Sequence, residues 1–169
     1  MTCLACINGY AEIVEYLIGK GADTTIRTRV GATPLILACY CHYNPETFEF
    51  VHPLAGSPTA FRGACQSRHD MGELCGHVAI VDILLANGID IEQPAESGNN
   101  ALLHAVNECH TDIVQRLLDH GADPNCANKA GESPLSVAAK YNFQAIVRML
   151  LDAGADVDYN YQTKRPRRE

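Results

Sequence analysis

The chain has 169 residues, of which 47% are hydrophobic and 20% are charged, a balance that excludes a disordered or collagen-like protein. Its apolar runs are too short for a membrane helix of about 20 residues, and residues 1–9 lack the pattern of a signal peptide, so we expect eight reduced cysteine thiols. The formal net charge is −7, but residues 164–169 carry +3, so the rest of the chain carries −10 and is a poor match for a phosphate backbone.

A segment of 33 residues repeats along the chain. Gly121 and Gly154 occupy the same place in LLDHGADPN and LLDAGADVD, and Gly88 lies 33 residues before Gly121. Gly21, in LIGKGADTT, lies 67 residues before Gly88, so one repeat carries about 34 additional residues. We place the repeats at about 1–25, 26–93, 94–126 and 127–161, the additional segment at 42–75 and a basic tail at 162–169.

Each repeat is predicted to form two helices and a loop. Thr33 and Ser133 each precede a proline, and Asn100 occupies the same position, so all three can cap the start of a first helix. The second helix carries the apolar pattern of two adjacent residues repeated one turn later, and a glycine ends it. One pair of such helices buries too little apolar surface to be stable alone, so the repeats should stack into a linear array.

These residues resemble the ankyrin repeat. The strings GATPL at 31–35, GHVAIVDILL at 76–85, GESPL at 131–135 and GAD at 21, 121 and 154 match the pattern of that family. The resemblance covers residues 1–41 and 76–161. It implies an all-α ankyrin-repeat solenoid of stacked helix-turn-helix units with projecting β-hairpin finger loops, in which the first helices line a concave face that binds other proteins.

The chain departs from the family pattern at several positions. The family's histidine after Pro-Leu is replaced in every repeat, by Cys3, Ile36, Leu103 and Ser136, so we expect the loops to be joined more weakly. Cys109 and Asn142 replace the glycine between the helices, and only asparagine tolerates the left-handed conformation well, so Cys109 is predicted to be strained. Both ends of the array are expected to be poorly capped or cut from a longer array.

The segment 42–75 does not fit the repeat, and it holds three of the four phenylalanines. It falls at the turn between two helices, where a long connection costs only about 2 kcal/mol in loop closure. Three interpretations remain open: a loop whose aromatic side chains dock on the helices, a retained intron, and a zinc site. Thiolate and imidazole are ligands that zinc prefers, and the candidates are Cys41, His42, Cys65, His69 and Cys75.

The spacing of those candidate ligands lacks the paired Cys-x2-Cys motifs of recognisable zinc sites. We therefore predict no cofactor, and keep a scaffold with a Cys/His zinc site as the alternative function.

The chain also lacks the sequence motifs of a nucleophile elbow, a phosphate-binding loop or a zinc protease. His104 is predicted to face the core, and His110 and His120 to lie at a turn and at a helix end. We therefore predict a non-catalytic protein without a small-molecule substrate.

The resemblance places the protein-binding residues on the fingers and on the exposed start of the concave face. They are Arg27, Arg29, Val30, Ala32, Tyr40, Glu96, Ser97, Asn99, Asn107, Glu108, Lys129, Glu132, Lys140 and Tyr141. Tyr and Arg dominate the energetics of many interfaces, and the alternating charges of the fingers favour a protein partner of mixed charge. Asn125 also resembles the asparagine that intracellular hydroxylases modify in ankyrin arrays.

The prediction is therefore an ankyrin scaffold or adaptor that binds a partner protein, with neither a nucleic acid nor a membrane as partner. The basic string at 164–168 is typical of a solvated tail or a nuclear import sequence, so we expect the cytoplasm or the nucleus.

Overall fold

The computed structural model describes residues 1–39 and 76–157, the side chains of residues 76 and 77 excepted. Within these ranges the chain forms eight α-helices: α1 (Thr2–Ile7), α2 (Ala11–Gly19), α3 (Pro34–Cys39), α4 (Gly76–Ala86), α5 (Ala101–Asn107), α6 (Thr111–Asp119), α7 (Pro134–Lys140) and α8 (Gln144–Asp152). None of these described helices is long and apolar enough to cross a membrane.

The predicted caps begin the first helices of the last three repeats. The Thr33 hydroxyl accepts a hydrogen bond from the Ile36 amide at 3.3 Å, and the Asn100 side chain accepts one from the Leu103 amide at 3.0 Å. Ser133 forms a capping box with Ser136, whose hydroxyl stands where the family carries histidine. Each cap satisfies an amide that the helix itself leaves without a partner, which confirms where these helices begin.

The turns between paired helices use the left-handed conformation. Cys109 and Asn142 have φ angles of 57° and 58°, as their positions predicted. For a residue other than glycine or asparagine this conformation costs about 1 to 2 kcal/mol, so the predicted strain at Cys109 is present.

The cysteines do not all have the predicted redox state. Cys3, Cys6, Cys39 and Cys126 are reduced thiols, and burial raises the pKa of the Cys6 thiol to about 12. Cys109 is disulfide-bonded, so the prediction of eight reduced thiols is wrong at this residue. Disulfide formation depends on the separation and direction of two side chains, which the pattern of a single repeat does not reveal.

The helices stack in two layers. The first helices α1, α3, α5 and α7 contact one another in that order, and the second helices α2, α4, α6 and α8 form the parallel row. Helix α3 packs directly on α4, the next described helix along the chain, and α4 also packs on α2. These two helices therefore form one helical pair within the stack. The predicted insertion at 42–75 and the tail at 162–169 lie outside the described residues.

The core is a row of interfaces between repeats, as a linear array requires. Its largest fully buried side chains are Leu35, Ile36, Ile80, Leu84, Leu102, Leu103, Leu117, Ile146, Leu150, Val14, Val81 and Val106. Burying an aliphatic side chain of this size contributes about 1.5 to 3 kcal/mol, so the apolar stripes hold the stack together.

Candidate protein-binding surface

Three loops project from the stack, and we call their tips finger 1 (residues 27–32), finger 2 (94–99) and finger 3 (127–132). Each finger closes on itself through a backbone hydrogen bond, as where the Thr28 amide donates to the Ala32 carbonyl at 3.0 Å. The corresponding bonds in fingers 2 and 3 measure 2.9 and 3.1 Å. The fingers thus form tight hairpin turns, although no residue within 1–39 and 76–157 is assigned to a β-strand.

The three fingers are joined into a row by their backbones. The Glu96 amide donates to the Val30 carbonyl, and the Lys129 amide donates to the Ser97 carbonyl, both at 3.2 Å. Gly98 makes this approach possible, because a Cβ atom at this position would lie only 2.6 Å from the Lys129 nitrogen. The spacing of finger tips is therefore fixed by the main chain.

Side chains add further hydrogen bonds between the fingers. The Arg27 guanidinium donates from Nη1 to the Pro94 carbonyl at 3.0 Å and from Nη2 to the Gln93 side chain at 3.3 Å. Asn128 donates from Nδ2 to the Asn99 side chain at 2.9 Å. These bonds join the loops by groups other than the family's histidine, so the loss of that histidine does not leave the fingers unconnected.

Below the tips of fingers 2 and 3 lies a cavity of about 300 Å³. It is lined by Glu92, Pro94, Gly98, Asn100, Cys126, Ala127, Asn128 and Lys129. Its polar groups bond one another: Glu92 accepts from Asn100 Nδ2 at 2.8 Å, and Cys126 Sγ lies 3.6 Å from Asn100 Oδ1. The polar residues that line the cavity therefore also hold together the loops that carry fingers 2 and 3.

The third finger and the end of α7 form a charged and aromatic cluster. Lys140 Nζ lies 3.2 Å from Glu132 Oε1 and 5.4 Å from the centre of the Tyr141 ring, which stacks on Phe143 at 5.6 Å. Hydrogen bonds from Asn128 and then from Lys140 lower the pKa of the Glu132 carboxyl. These contacts bring Glu132, Lys140, Tyr141 and Phe143 together beside the third finger.

The predicted binding residues differ in exposure. Arg27, Arg29, Val30, Glu96, Ser97, Lys129 and Lys140 are exposed, and Asn99, Asn107, Glu132 and Tyr141 are half-buried. Ala32 and Glu108 are only 1% and 5% exposed, because Ala32 turns into the core before α3 and Glu108 packs beside His104 at the end of α5. These two side chains offer no surface to a partner, and Tyr40 lies outside the described residues.

His104 faces the core as predicted. It is 5% exposed, and burial lowers the pKa of its imidazole to about 4, although the Glu108 carboxylate partly opposes this change. The imidazole is therefore neutral at pH 7 and belongs to the packing of α5.

Metal binding is not supported by the described residues, in which no three His, Cys, Asp or Glu side chains are grouped as ligands. The candidate ligands Cys41, His42, Cys65, His69 and Cys75 lie outside those residues. The zinc site thus stays a prediction, and metal analysis of the purified protein tests it: about one zinc per chain would support it.

Comparison with known families agrees with this architecture. A family model described as ankyrin repeats (three copies) matches residues 64–161, more than half of the chain, and a single ankyrin-repeat model matches residues 2–29. The chain belongs to the ankyrin-repeat family. A comparison with curated proteins finds no match.

Ankyrin repeats are generally protein–protein interaction modules, so membership of the family indicates this general role for the chain. The three-copy match begins at residue 64, inside the segment predicted as an insertion, so the limits of that segment stay a prediction. Asn128 and Glu92, which join the ankyrin loops, were not among the residues predicted from the sequence to form the site. The sequence carried one signal for the Glu92 contact, because the equivalent position of the next repeat holds another polar residue, Asn125.

Proposed function

We propose that this ankyrin array is a non-catalytic scaffold that binds a partner protein across its finger tips and the adjacent end of its first helices. The observation that carries the proposal is the hydrogen-bonded finger row, in which the main chain fixes the spacing while side chains remain exposed. Arg29, Val30, Ser97 and Lys129 project from this row. A surface ordered in advance loses less entropy on binding, which favours affinity.

The expected contacts follow from the chemistry of the exposed side chains. Arg29 and Tyr141 are of the types that contribute most at interfaces, and Tyr141 contacts both Lys140 and Phe143. Finger 1 is basic, whereas finger 2 exposes Glu96. The partner should therefore present an acidic group to finger 1 and a basic group to finger 2.

Affinity capture with the full chain tests this proposal. Arg29→Ala and Tyr141→Ala should each reduce recovery of the captured partner at least several-fold. Gln115→Ala, an exposed change on the outer helix α6, serves as the control and should leave recovery unchanged. Full recovery with both surface variants would contradict the assigned surface.

Asn125 remains a candidate for hydroxylation. Its side chain accepts a hydrogen bond from the Asp156 amide at 2.8 Å and donates to the Gly154 carbonyl at 3.3 Å. A hydroxylase would therefore have to open this loop contact before reaching the side chain. Mass spectrometry of the protein from native cells should find a peptide heavier by one oxygen at Asn125 if the modification occurs.

A further inference from the structure

The end of helix α4 carries a pair of residues with a chemistry of its own. Asn87 follows the last helical residue, Gly88 follows Asn87, and both are exposed. Asparagine is a thermolabile residue. It reacts most readily before glycine, because the next residue then has no side chain to shield its backbone nitrogen. The pair Asn-Gly occurs twice in the chain, and the other copy, Asn8-Gly9, is half-buried, so Asn87 is the more exposed of the two.

The space beside Gly88 is open. Gly88 has a φ angle of +70°, and a Cβ atom built on it would meet nothing within 4 Å. No other part of the described chain therefore stands where the Asn87 side chain must turn to reach the Gly88 nitrogen.

In the closed helix end both reacting groups are engaged in hydrogen bonds. Asn87 donates from Nδ2 to the Ile83 carbonyl at 2.7 Å, and the Gly88 amide donates to the Leu85 carbonyl at 3.0 Å. The first bond holds the side chain against the helix, and the second occupies the nitrogen that would attack it. Helix ends open locally at far lower free energy than the whole fold, and opening of this turn releases both groups together.

We propose that Asn87 is a site of spontaneous deamidation, which proceeds when the last turn of α4 opens. The Gly88 nitrogen loses its proton to solvent and attacks the Asn87 Cγ atom. A bond forms between this nitrogen and Cγ, the bond from Cγ to Nδ2 breaks, and ammonia leaves with a proton taken from water. Water then opens the cyclic imide at either carbonyl, which yields aspartate or isoaspartate. The net reaction consumes water and releases ammonia, and nothing is oxidised or reduced.

The product should not restore the closed helix end. A carboxylate cannot donate to the Ile83 carbonyl, and a negative charge at the carboxyl end of a helix opposes the helix dipole. Gly88 begins the loop that carries Gln93, whose side chain accepts a hydrogen bond from Arg27 of finger 1. Deamidation therefore loosens the loop at the base of finger 2.

Incubation of the folded full chain in mildly alkaline buffer, followed by peptide mass spectrometry, tests this proposal. The peptide that contains Asn87 should gain the mass difference between a carboxyl and an amide group, and it should separate into aspartate and isoaspartate isomers. An Asn87 that stays intact in the folded chain, while the chain unfolded in guanidinium chloride reacts there, would overturn the proposal. Aspartate as the only product would also overturn it, because the imide opens at both carbonyls.

Hydrogen exchange tests whether opening of the helix end governs the reaction. Deamidation at Asn87 should be slower in the folded than in the unfolded chain by the same factor, within a few-fold, by which the folded structure slows exchange of the Gly88 amide. A much faster or much slower reaction would contradict this route.

Two variants isolate the effect of the product. Asn87→Asp reproduces one product, and Asn87→Lys is the control, because Lys20 occupies this position in the first repeat. The amides of Gly88 and Ile89, which donate back to α4, should exchange at least several-fold faster in Asn87→Asp than in Asn87→Lys. Equal exchange in the two variants would overturn the claim that the modification opens the helix end.

Discussion

Glu92 and Asn125 make the same contact at equivalent places in two neighbouring loops. They lie 33 residues apart, and each accepts a hydrogen bond of 2.8 Å from a backbone amide of the following loop, that of Asp123 for Glu92 and that of Asp156 for Asn125. The second polar atom of each side chain bonds elsewhere, to Asn100 or to the Gly154 carbonyl. A repeated position thus joins successive loops below the finger row.

The Glu92 contact should contribute measurably to stability. Glu92→Ala removes the acceptors of two hydrogen bonds and should lower the free energy of unfolding by about 2 kcal/mol, since each such bond contributes about 1 kcal/mol net. Glu92→Gln keeps one acceptor oxygen and should lose roughly half as much. Urea unfolding measures both, and an alanine variant as stable as the unmodified protein would show that water satisfies these groups equally well.

The close approach of fingers 2 and 3 can be isolated by a matched pair of glycine substitutions. Gly98 and Gly121 have nearly equal φ angles, +86° and +85°, but a Cβ atom at Gly121 would meet nothing within 4 Å. Alanine at either position should lower the free energy of unfolding by about 1 to 2 kcal/mol, because alanine rarely adopts a positive φ angle. Gly98→Ala should lower it clearly more, because its Cβ atom also collides with the Lys129 nitrogen.

Hydrogen exchange locates that additional cost. In Gly98→Ala the Lys129 amide should exchange faster, since its bond to Ser97 must lengthen, whereas Gly121→Ala should leave this amide protected. Equal unfolding energies for the two variants would mean that the fingers move apart without loss of stability.

The turn between α7 and α8 gives a third prediction. Asn142 has a φ angle of 58°, which glycine adopts freely and alanine does not. Asn142→Ala should lower the free energy of unfolding by about 1 kcal/mol, while Asn142→Gly should leave it unchanged or raise it. Chemical denaturation compares the two. A glycine variant less stable than the alanine variant would show that the backbone conformation is not what decides stability here.

Acid should destabilise the protein through His104. Burial holds the pKa of this imidazole at about 4 in the folded protein, below its ordinary value of 6.5, so on acidification the unfolded chain takes up the proton first. The contribution of neutral His104 to the free energy of unfolding is fully present above pH 6.5 and is lost progressively as the pH falls to about 4. Its size is on the order of 3 kcal/mol, from the linkage between proton binding and folding.

His104→Leu provides the control for this pH dependence, because Leu37 occupies the same position in the second repeat. The variant should lose less stability than the unmodified protein between pH 6.5 and 4 when both are unfolded in urea. Identical losses in the two proteins would assign the acid sensitivity to other groups.

Features that depend on neighbouring residues could be predicted from the sequence. Thr33 and Ser133 before proline indicated the starts of α3 and α7, since a cap acts on amides two or three residues away. The apolar pattern of the second helices likewise predicted the buried positions of Ile80 and Ile113. His104 was predicted to be a core residue because of its place on the helix.

Contacts between residues of different repeats, and the side-chain directions that these contacts set, could not be predicted from the sequence. Arg27 was predicted as a binding residue, and it also bonds the carbonyl of Pro94, which is 67 residues away in the chain. Ala32 and Glu108 belong to the family's surface positions but turn inward, since the direction of a loop side chain follows from how the repeats pack. The contact between Asn128 and Asn99 has the same origin.

We propose that the finger row and the end of α7 form the surface that binds a partner protein. Hydrogen exchange of the intact chain, with and without its captured partner, tests this most directly. Protection should appear at residues 27–31, 94–98, 127–131 and around Tyr141, while the outer surfaces of α4 and α6 remain unchanged. Protection confined to those outer helices, with no change in the fingers, would contradict it.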